Sequence, residues 1–265
     1  MKKYILILLT SVVTLSSCSD WFDVTSGSEI REKDHYSTLA GFQQSLIGCY
    51  ISMTDNILYG KELSWYAIEI LGHQFNPVTS NSSNSKEMQE YEKFNYDHTQ
   101  IFSDIENIWA KAYSVIANAN EALTNMEGQE SSLNEVYYHV IKGELLAIRA
   151  YMHFDLLRIY APSLLMNPGE RTFIPYVDKY PSYLSDRQTV SYCLQHIIDD
   201  LKKAQSILLS VDKSASFSME SRFIQSYNGE SRFLGYRGYR MNYYAVTAEL
   251  ARVYLYAQKA DEAYA

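Results

Sequence analysis

A chain of 265 residues is long enough for one large or two modest domains. Its 31 acidic against 23 basic side chains give a net charge of −8, which argues against capture of nucleic acid or of an anionic lipid surface. The unusual count is 24 tyrosines, a side chain whose apolar ring and polar tip suit helix packing and wet, stacking ligand surfaces alike.

Met1, Lys2 and Lys3 make a basic start, and Tyr4 through Val13 an apolar run of about ten residues. A bilayer span needs roughly twenty helical residues, so this run reads as a cleaved secretory segment. Leu15-Ser16-Ser17-Cys18 has the form of a bacterial lipoprotein cleavage signal. On that reading residues 1–17 are removed, and Cys18 carries palmitate-type acyl chains at the mature N-terminus. One chain holds weakly at ~0.8 kcal/mol per buried methylene; two or three anchor stably. The alternative is an ordinary signal peptide with an incidental cysteine. Loss of Lys2 and Lys3 takes the charge from −8 to near −10. Residues 18–30, polar and acidic around Trp21 and Phe22, read as a tether.

Residues 31–265 are mostly helical in pattern. Thr38–Ser52 spaces Leu39, Phe42, Leu46 and Tyr50 as one stripe. Leu58–Leu71 continues as helix until Gly72 and Pro77, and Thr79–Ser85 is a solvated loop. Ile105–Met126 carries Ile108, Trp109, Ala112, Tyr113, Ile116, Ala119, Asn120 and Leu123 on one face, with Gly128 as its stop. Glu135–Tyr160 aligns Leu145, Ile148, Met152, Leu156 and Ile159, and Pro162 ends it. Residues 162–188 hold Pro168, Gly169, Pro175 and Pro181, an irregular connection. Thr189 is a good N-cap for Val190–Leu209, whose stripe is Leu194, Ile197, Leu201, Ala204 and Leu208. A last helix starts near Met241. There Ala248, Ala251, Ala257 and Ala260 favour close helix approach around Tyr254, part of the tetratricopeptide pattern, although no regular repeat runs through the chain. The fold class is all-α, an α-solenoid-like set of helix pairs with long irregular loops. Cys49 and Cys193 permit one disulfide or two buried thiols.

Four stretches carry a family likeness: Ile108-Trp109 through Asn120, Gly143-Glu144 through Tyr160, Arg187 through Leu209, and Ala245 through Tyr256. In this order, behind a lipoprotein cysteine, they resemble the SusD/RagB family of outer-membrane nutrient-uptake lipoproteins over nearly the whole mature chain. Two departures stand out. Ala161-Pro162 follows Tyr160 where the family has Gly and a short turn to Pro. Family members are also commonly about twice as long, so the C-terminal half of the family fold is expected to be missing and the chain to be a truncated product or fragment. The resemblance implies a surface-exposed outer-membrane lipoprotein that binds oligosaccharide, or peptide in RagB-type members. It would hand its cargo to a SusC-like TonB-dependent transporter, without catalysis and without a cofactor.

A pyranose offers an apolar face that stacks on rings and hydroxyls that need polar partners, each stacking contact being on the order of 1 kcal/mol. Candidates are aromatics on irregular connections: Trp65, His73, Phe75 and Asn76 in one set, Tyr176, Tyr180 and Tyr183 in another. The competing reading is that these rings pack against helices. Trp109 and Tyr113 lie on a stripe and belong to the core. Residues 217–240 interleave six rings with Arg222, Arg232, Arg237 and Arg240, which reads as a loop touching ligand or barrel, or as a plain surface excursion. Glu144, Arg149, Asp155 and Arg158 suggest structural ion pairing, Asp155 and Arg158 being three apart on one face.

No nucleophile elbow, His-Glu-x-x-His, Cys-x-x-Cys or phosphate-cradling glycine loop occurs, and the six histidines show no i,i+4 pair. The rivals to glycan uptake are peptide uptake on the same fold, a tetratricopeptide-like scaffold with no small ligand, and a glycan hydrolase, for which no carboxylate pair stands out.

Overall fold

The computed structural model describes residues 31–75, 82–213 and 232–264. Cys18, the signal, the tether, Asn76 and residues 217–231 lie outside them. The chain divides into two compact units between Thr38 and Leu39. In the first, Glu32–His35 forms a single turn, α1.

The second unit is built of helices. They are α2 (Leu39–Met53), α3 (Ala67–Leu71), α4 (Ser83–Glu92), α5 (Thr99–Asn125), α6 (Glu135–Tyr160), α7 (Val190–Asp212), α8 (Tyr243–Tyr256) and α9 (Ala260–Tyr264). Between α6 and α7, β1 (Thr172–Ile174) pairs antiparallel with β2 (Gln188–Thr189), the only sheet among the described residues. None of the described helices is long and apolar enough to cross a membrane.

α6 is the axis of the fold, packing against α5 on one side and α7 on the other, with α8 on α7 and α2 on α5. Between Val140 and Leu157 only Lys142 and Tyr151 fall short of burial. A helix apolar on every side must be buried on every side, and α6 is. Asn134 Oδ1 accepts from Val136 N–H to start it, and Thr189 Oγ1 does the same for α7 from Tyr192 N–H at 3.1 Å. The stripe of α7 is fully inside, from Leu194 to Leu208. Where α6 crosses α7, a β-carbon on Gly143 would lie 2.6 Å from Leu208 Cγ, so close approach there requires glycine.

Four local expectations need correction. Residues 55–65 form turns rather than helix. Asp55 Oδ1 captures Ile57 N–H, and a β-carbon at Gly60 would sit 2.4 Å from the Thr54 carbonyl oxygen. The chain doubles back there instead of winding on. Ser82 caps α4, so the serine-rich stretch ends by opening a helix, not as a loop. α5 also starts earlier than its stripe suggests, at Thr99. Finally, Ala248 and Ala260 are exposed, and α8 buries Val246, Leu250, Val253 and Tyr254 instead. Cys49 and Cys193 are both buried free thiols, each pushed up to about 12 by burial.

Candidate functional site

α3 and α4 end alike. Behind α3, His73 N–H bonds to the Ile70 carbonyl at 2.9 Å and Gln74 N–H to the Glu69 carbonyl at 3.0 Å. Behind α4, Phe94 N–H bonds to the Tyr91 carbonyl at 2.9 Å and Asn95 N–H to the Glu90 carbonyl at 3.0 Å. This pair of bonds closes a helix around one left-handed residue, a place that usually goes to glycine. Here the two left-handed residues are His73 (φ 53°) and Phe94 (φ 54°). Their rings stack, centroids 5.3 Å apart and 16° from parallel. Two side chains thus occupy strained backbone positions and stand together at the surface. Trp65, Phe75 and Tyr96 are about half exposed. Trp65 meets Tyr66 edge-on at 6.1 Å and donates from Nε1 to the Gly60 carbonyl.

Tyr96 belongs at once to a cleft of about 880 Å³. One wall is Ser64, Ile68 and Leu71 from the α3 segment; Tyr96 precedes α5 and Phe102 lies in its first turn; the far side is the C-terminal end of α6 with Arg252 and Tyr256 of α8. The size is that of a site for an extended small ligand. Tyr59 and Tyr151 line it with rings 5.4 Å apart.

Charge in the cleft is balanced from within. Asp155 accepts from Tyr59 Oη at 2.7 Å, Arg158 at 2.9 Å and Arg252 at 3.4 Å, while Arg252 also holds Glu249 at 3.1 Å. Burial raises the Glu249 carboxyl. Burial would lower Arg252, but Glu249 and Asp155 beside it hold it above its ordinary value. Burial and then Asp155 push the Tyr59 phenol far up, so it donates and does not ionise. Both guanidiniums remain over a third exposed. The floor can offer N–H donors to hydroxyls without carrying net charge.

None of the described sequence candidates lines this cleft. Trp65, His73 and Phe75, exposed on the segments either side of α3, are candidate rings for an aromatic platform, and Tyr180 and Tyr183 lie on the separate connection before β2, Tyr183 almost wholly exposed. Tyr176 is a correction. It is buried: its hydroxyl donates to Asp200 at 2.5 Å and its ring stacks on His153 at 4.1 Å. It is a structural ring, not an exposed one.

Tyr176 belongs to a second buried knot. Arg149 grips both oxygens of Asp200 at 2.7 and 2.8 Å and reaches Asn120 at 2.8 Å. His153 takes Val177 N–H on Nε2 and faces the Arg149 carbonyl through Nδ1, which fixes the Nδ1–H tautomer. A third knot corrects the surface reading for Arg237 and Arg240, which lie in the described part of 217–240. Arg237 is fully buried, bonding Glu144 at 2.8 Å and Asp212 with both terminal nitrogens; Arg240 reaches the other oxygen of Glu144 at 2.8 Å. Burial works to raise Glu144, but Arg240 and Arg237 hold it below the usual carboxylate range. Arg158 pairs Asp155 as its spacing predicts. Trp109 and Tyr113 are half-buried and pack together at 4.9 Å. Tyr96, Phe102, Arg252 and Tyr256 line the candidate cleft and Phe94 stacks on His73, and none of the five stood out in the sequence. No group of three or more His, Cys, Asp or Glu among the described residues is placed to hold a metal.

A SusD-like family model, described as starch-binding and associating with the outer membrane, matches residues 20–226. The chain belongs to this SusD-like family. SusD-like protein P2 of Formosa agariphila is 24% identical over 213 residues, which are 78% of this chain and 38% of that protein. A SusD superfamily protein from Bacteroides thetaiotaomicron VPI-5482 superposes with TM-score 0.60 at 21% identity, covering 86% of this chain and 44% of that one. A SusD-like carbohydrate binding protein from Bacteroides vulgatus ATCC 8482 gives TM-score 0.61 at 17% identity, with 85% and 43% covered. These likenesses show the fold, all-α and tetratricopeptide-like. The SusD-like chain spans less than half the length of these relatives.

Proposed function

We propose that this SusD-like chain grips oligosaccharide at the aromatic platform and the adjoining cleft, and that it does so without catalysis, as part of an outer-membrane uptake lipoprotein. The observation that carries the reading is the His73–Phe94 stack held on two left-handed backbone positions. Strain of this kind persists where the surroundings over-determine it, and it clusters at ligand sites. Trp65, Phe75, Tyr96 and the stacked His73–Phe94 pair are exposed rings whose apolar faces suit sugar C–H groups, while Arg158, Arg252 and Ser64 line the cleft as polar partners. Asp155 and Glu249 are held in ion pairs, which supports binding over acid–base chemistry.

The family description and the carbohydrate-binding neighbour support the same cargo. Anchoring through Cys18, exposure at the cell surface and delivery to a SusC-like TonB-dependent transporter extend the proposal. Trp65, His73, Phe75 and Asn76 remain its proposed contacts from sequence, joined by Phe94 and Tyr96; Tyr180 and Tyr183 are a separate proposed surface. A panel of oligosaccharides and a pool of peptides, titrated against the purified chain and against Trp65→Ala and Phe102→Ala, tests it. Saturable oligosaccharide binding weakened in both variants at unchanged melting temperature is expected. Binding of peptides alone moves the cargo to the RagB type, and turnover of a labelled glycan overturns the non-catalytic reading.

A further inference from the structure

The wall of the cleft is more apolar than a bare sugar chain calls for. Ile68 and Leu71 of α3, Phe102 and Ile105 of α5, Ile159 of α6 and Met166 beyond it all line it. Leu71 and Ile105 also pack, partly buried, on the core cluster of Ala67, Ile70, Tyr91 and Ile101, which gives this wall a firm backing. Phe102 is 54% and Met166 71% exposed, so apolar surface is left uncovered.

Four hydroxyls of the lining donate within the fold. Tyr59 donates to Asp155 at 2.7 Å, Tyr91 to Asp104 at 2.8 Å, Tyr160 to the Ile105 carbonyl at 2.6 Å and Ser64 to the Tyr59 carbonyl at 2.6 Å. A sugar unit carries a hydroxyl on most of its carbons, and each one pressed against the apolar wall loses water without gaining a partner. An acyl group loses no hydrogen bond there and removes apolar surface from water. Donors stand at the α6 and α8 side, where the guanidiniums of Arg158 and Arg252 are both over a third exposed. Asp155 and Glu249 already meet their charge, and Glu69 adds a carboxylate to the α3 wall. A free acid is therefore disfavoured, whereas a neutral ester carbonyl accepts an N–H without adding charge. Tyr59 and Tyr151, rings 5.4 Å apart and tilted by 51°, suit a flat aromatic group better than a flexible alkyl chain.

We infer that the cleft selects oligosaccharide that carries an aromatic acyl ester, with the acyl ring against the apolar wall, the ester carbonyl accepting from Arg158 or Arg252, and the sugar units outside the apolar part. The inference rests on the cleft being a cargo site and adds what that site discriminates. Undecorated chains use the guanidiniums and leave the wall wet; decorated chains fill both.

The test titrates the full chain, by saturation-transfer NMR, with methyl cellobioside and methyl xylobioside, each plain and as its mono-O-benzoyl ester. Ethyl benzoate and sodium benzoate serve as sugar-free controls. Benzoylation is expected to tighten binding tenfold or more, at about 1.4 kcal/mol per tenfold. In Phe102→Ala and in Met166→Ser, both at exposed positions, the plain and benzoylated forms should come within about threefold of each other, with the melting temperature unchanged. Equal binding of plain and benzoylated forms to the parent chain overturns the inference and leaves the cargo reading standing. A gain that survives in both variants places the ring elsewhere and also overturns it. Ethyl benzoate binding as tightly as the benzoylated sugars makes the cleft a plain apolar site, and benzoate binding more tightly than ethyl benzoate reverses the charge argument; either result overturns it. If no form binds, the inference fails, and the cargo reading then stands or falls on the wider oligosaccharide panel.

Discussion

The stack of His73 on Phe94 can be separated into its structural and binding parts by replacing Phe94 with glycine and, in parallel, with alanine. Phe94 sits at φ 54°, where a β-carbon costs roughly 1–2 kcal/mol. Glycine relieves that cost. It also loses the ring pair, about 0.5–1.5 kcal/mol, and adds freedom to the unfolded chain, about 0.4–1 kcal/mol. The terms nearly cancel, so Phe94→Gly should unfold within about 1 kcal/mol of the parent. Phe94→Ala loses the ring but keeps the β-carbon in the left-handed region, so it should be less stable than the glycine variant by about 1 kcal/mol. Both lose one stacking surface, about 1 kcal/mol and hence about fivefold in oligosaccharide affinity. Urea unfolding followed by circular dichroism gives the first comparison and calorimetric titration the second. An alanine variant more stable than the glycine variant would refute the backbone argument, and unchanged affinity in two folded variants would refute the platform.

Arg237→Met should cost about 3–5 kcal/mol in urea unfolding, because Glu144 and Asp212 stay buried after their shared cation has gone; a loss below 1 kcal/mol would show that the knot is solvated. Burial brings His153 down from 6.5 to about 3, so its contribution is complete above about pH 6.5 and drains away as pH falls toward 3. Scanning calorimetry across that range should show proton uptake on unfolding and a falling midpoint, both diminished in His153→Gln.

The long helices were legible because their signals are local. Pro162 ends α6, Thr189 opens α7, and their apolar stripes are long enough to fix the period. α4 was not legible, since only Met88 and Tyr91 of its ten residues join a core cluster and no stripe can be seen. Leu58–Leu71 misled for the opposite reason: its apolar residues are frequent enough for a helix, but Gly60 and Asp55 decide the backbone. His73 and Phe75 could be picked as rings on a connection. Phe94 could not, because the stack depends on two helix ends that lie far apart in sequence. Tyr176 was misread because a buried connection looks, in sequence, like a solvated one. The signal that pointed inward was on α6, where Glu144, Arg149, His153 and Asp155 interrupt an apolar helix and each needs a buried partner.

Those partners also bear on where affinity can come from. Glu144, Arg149, His153 and Asp155 of α6 are matched within the fold, so they lend little to a ligand beyond the cleft floor. If all four rings of the proposed platform, Trp65, His73 or Phe94, Phe75 and Tyr96, stack on one ligand, about 1 kcal/mol each reaches about 4 kcal/mol, which corresponds to a dissociation constant near 1 mM. Micromolar affinity needs about twice that free energy. Only a ligand long enough to leave the platform and enter the cleft past Tyr96 can add the Arg158 and Arg252 hydrogen bonds to the stacking. Affinity should therefore climb with oligosaccharide length and then level off once the cleft is filled, and Phe102→Ala should flatten the climb while leaving the shortest ligands unaffected. A titration series in which disaccharides bind as tightly as longer chains would break the link between platform and cleft.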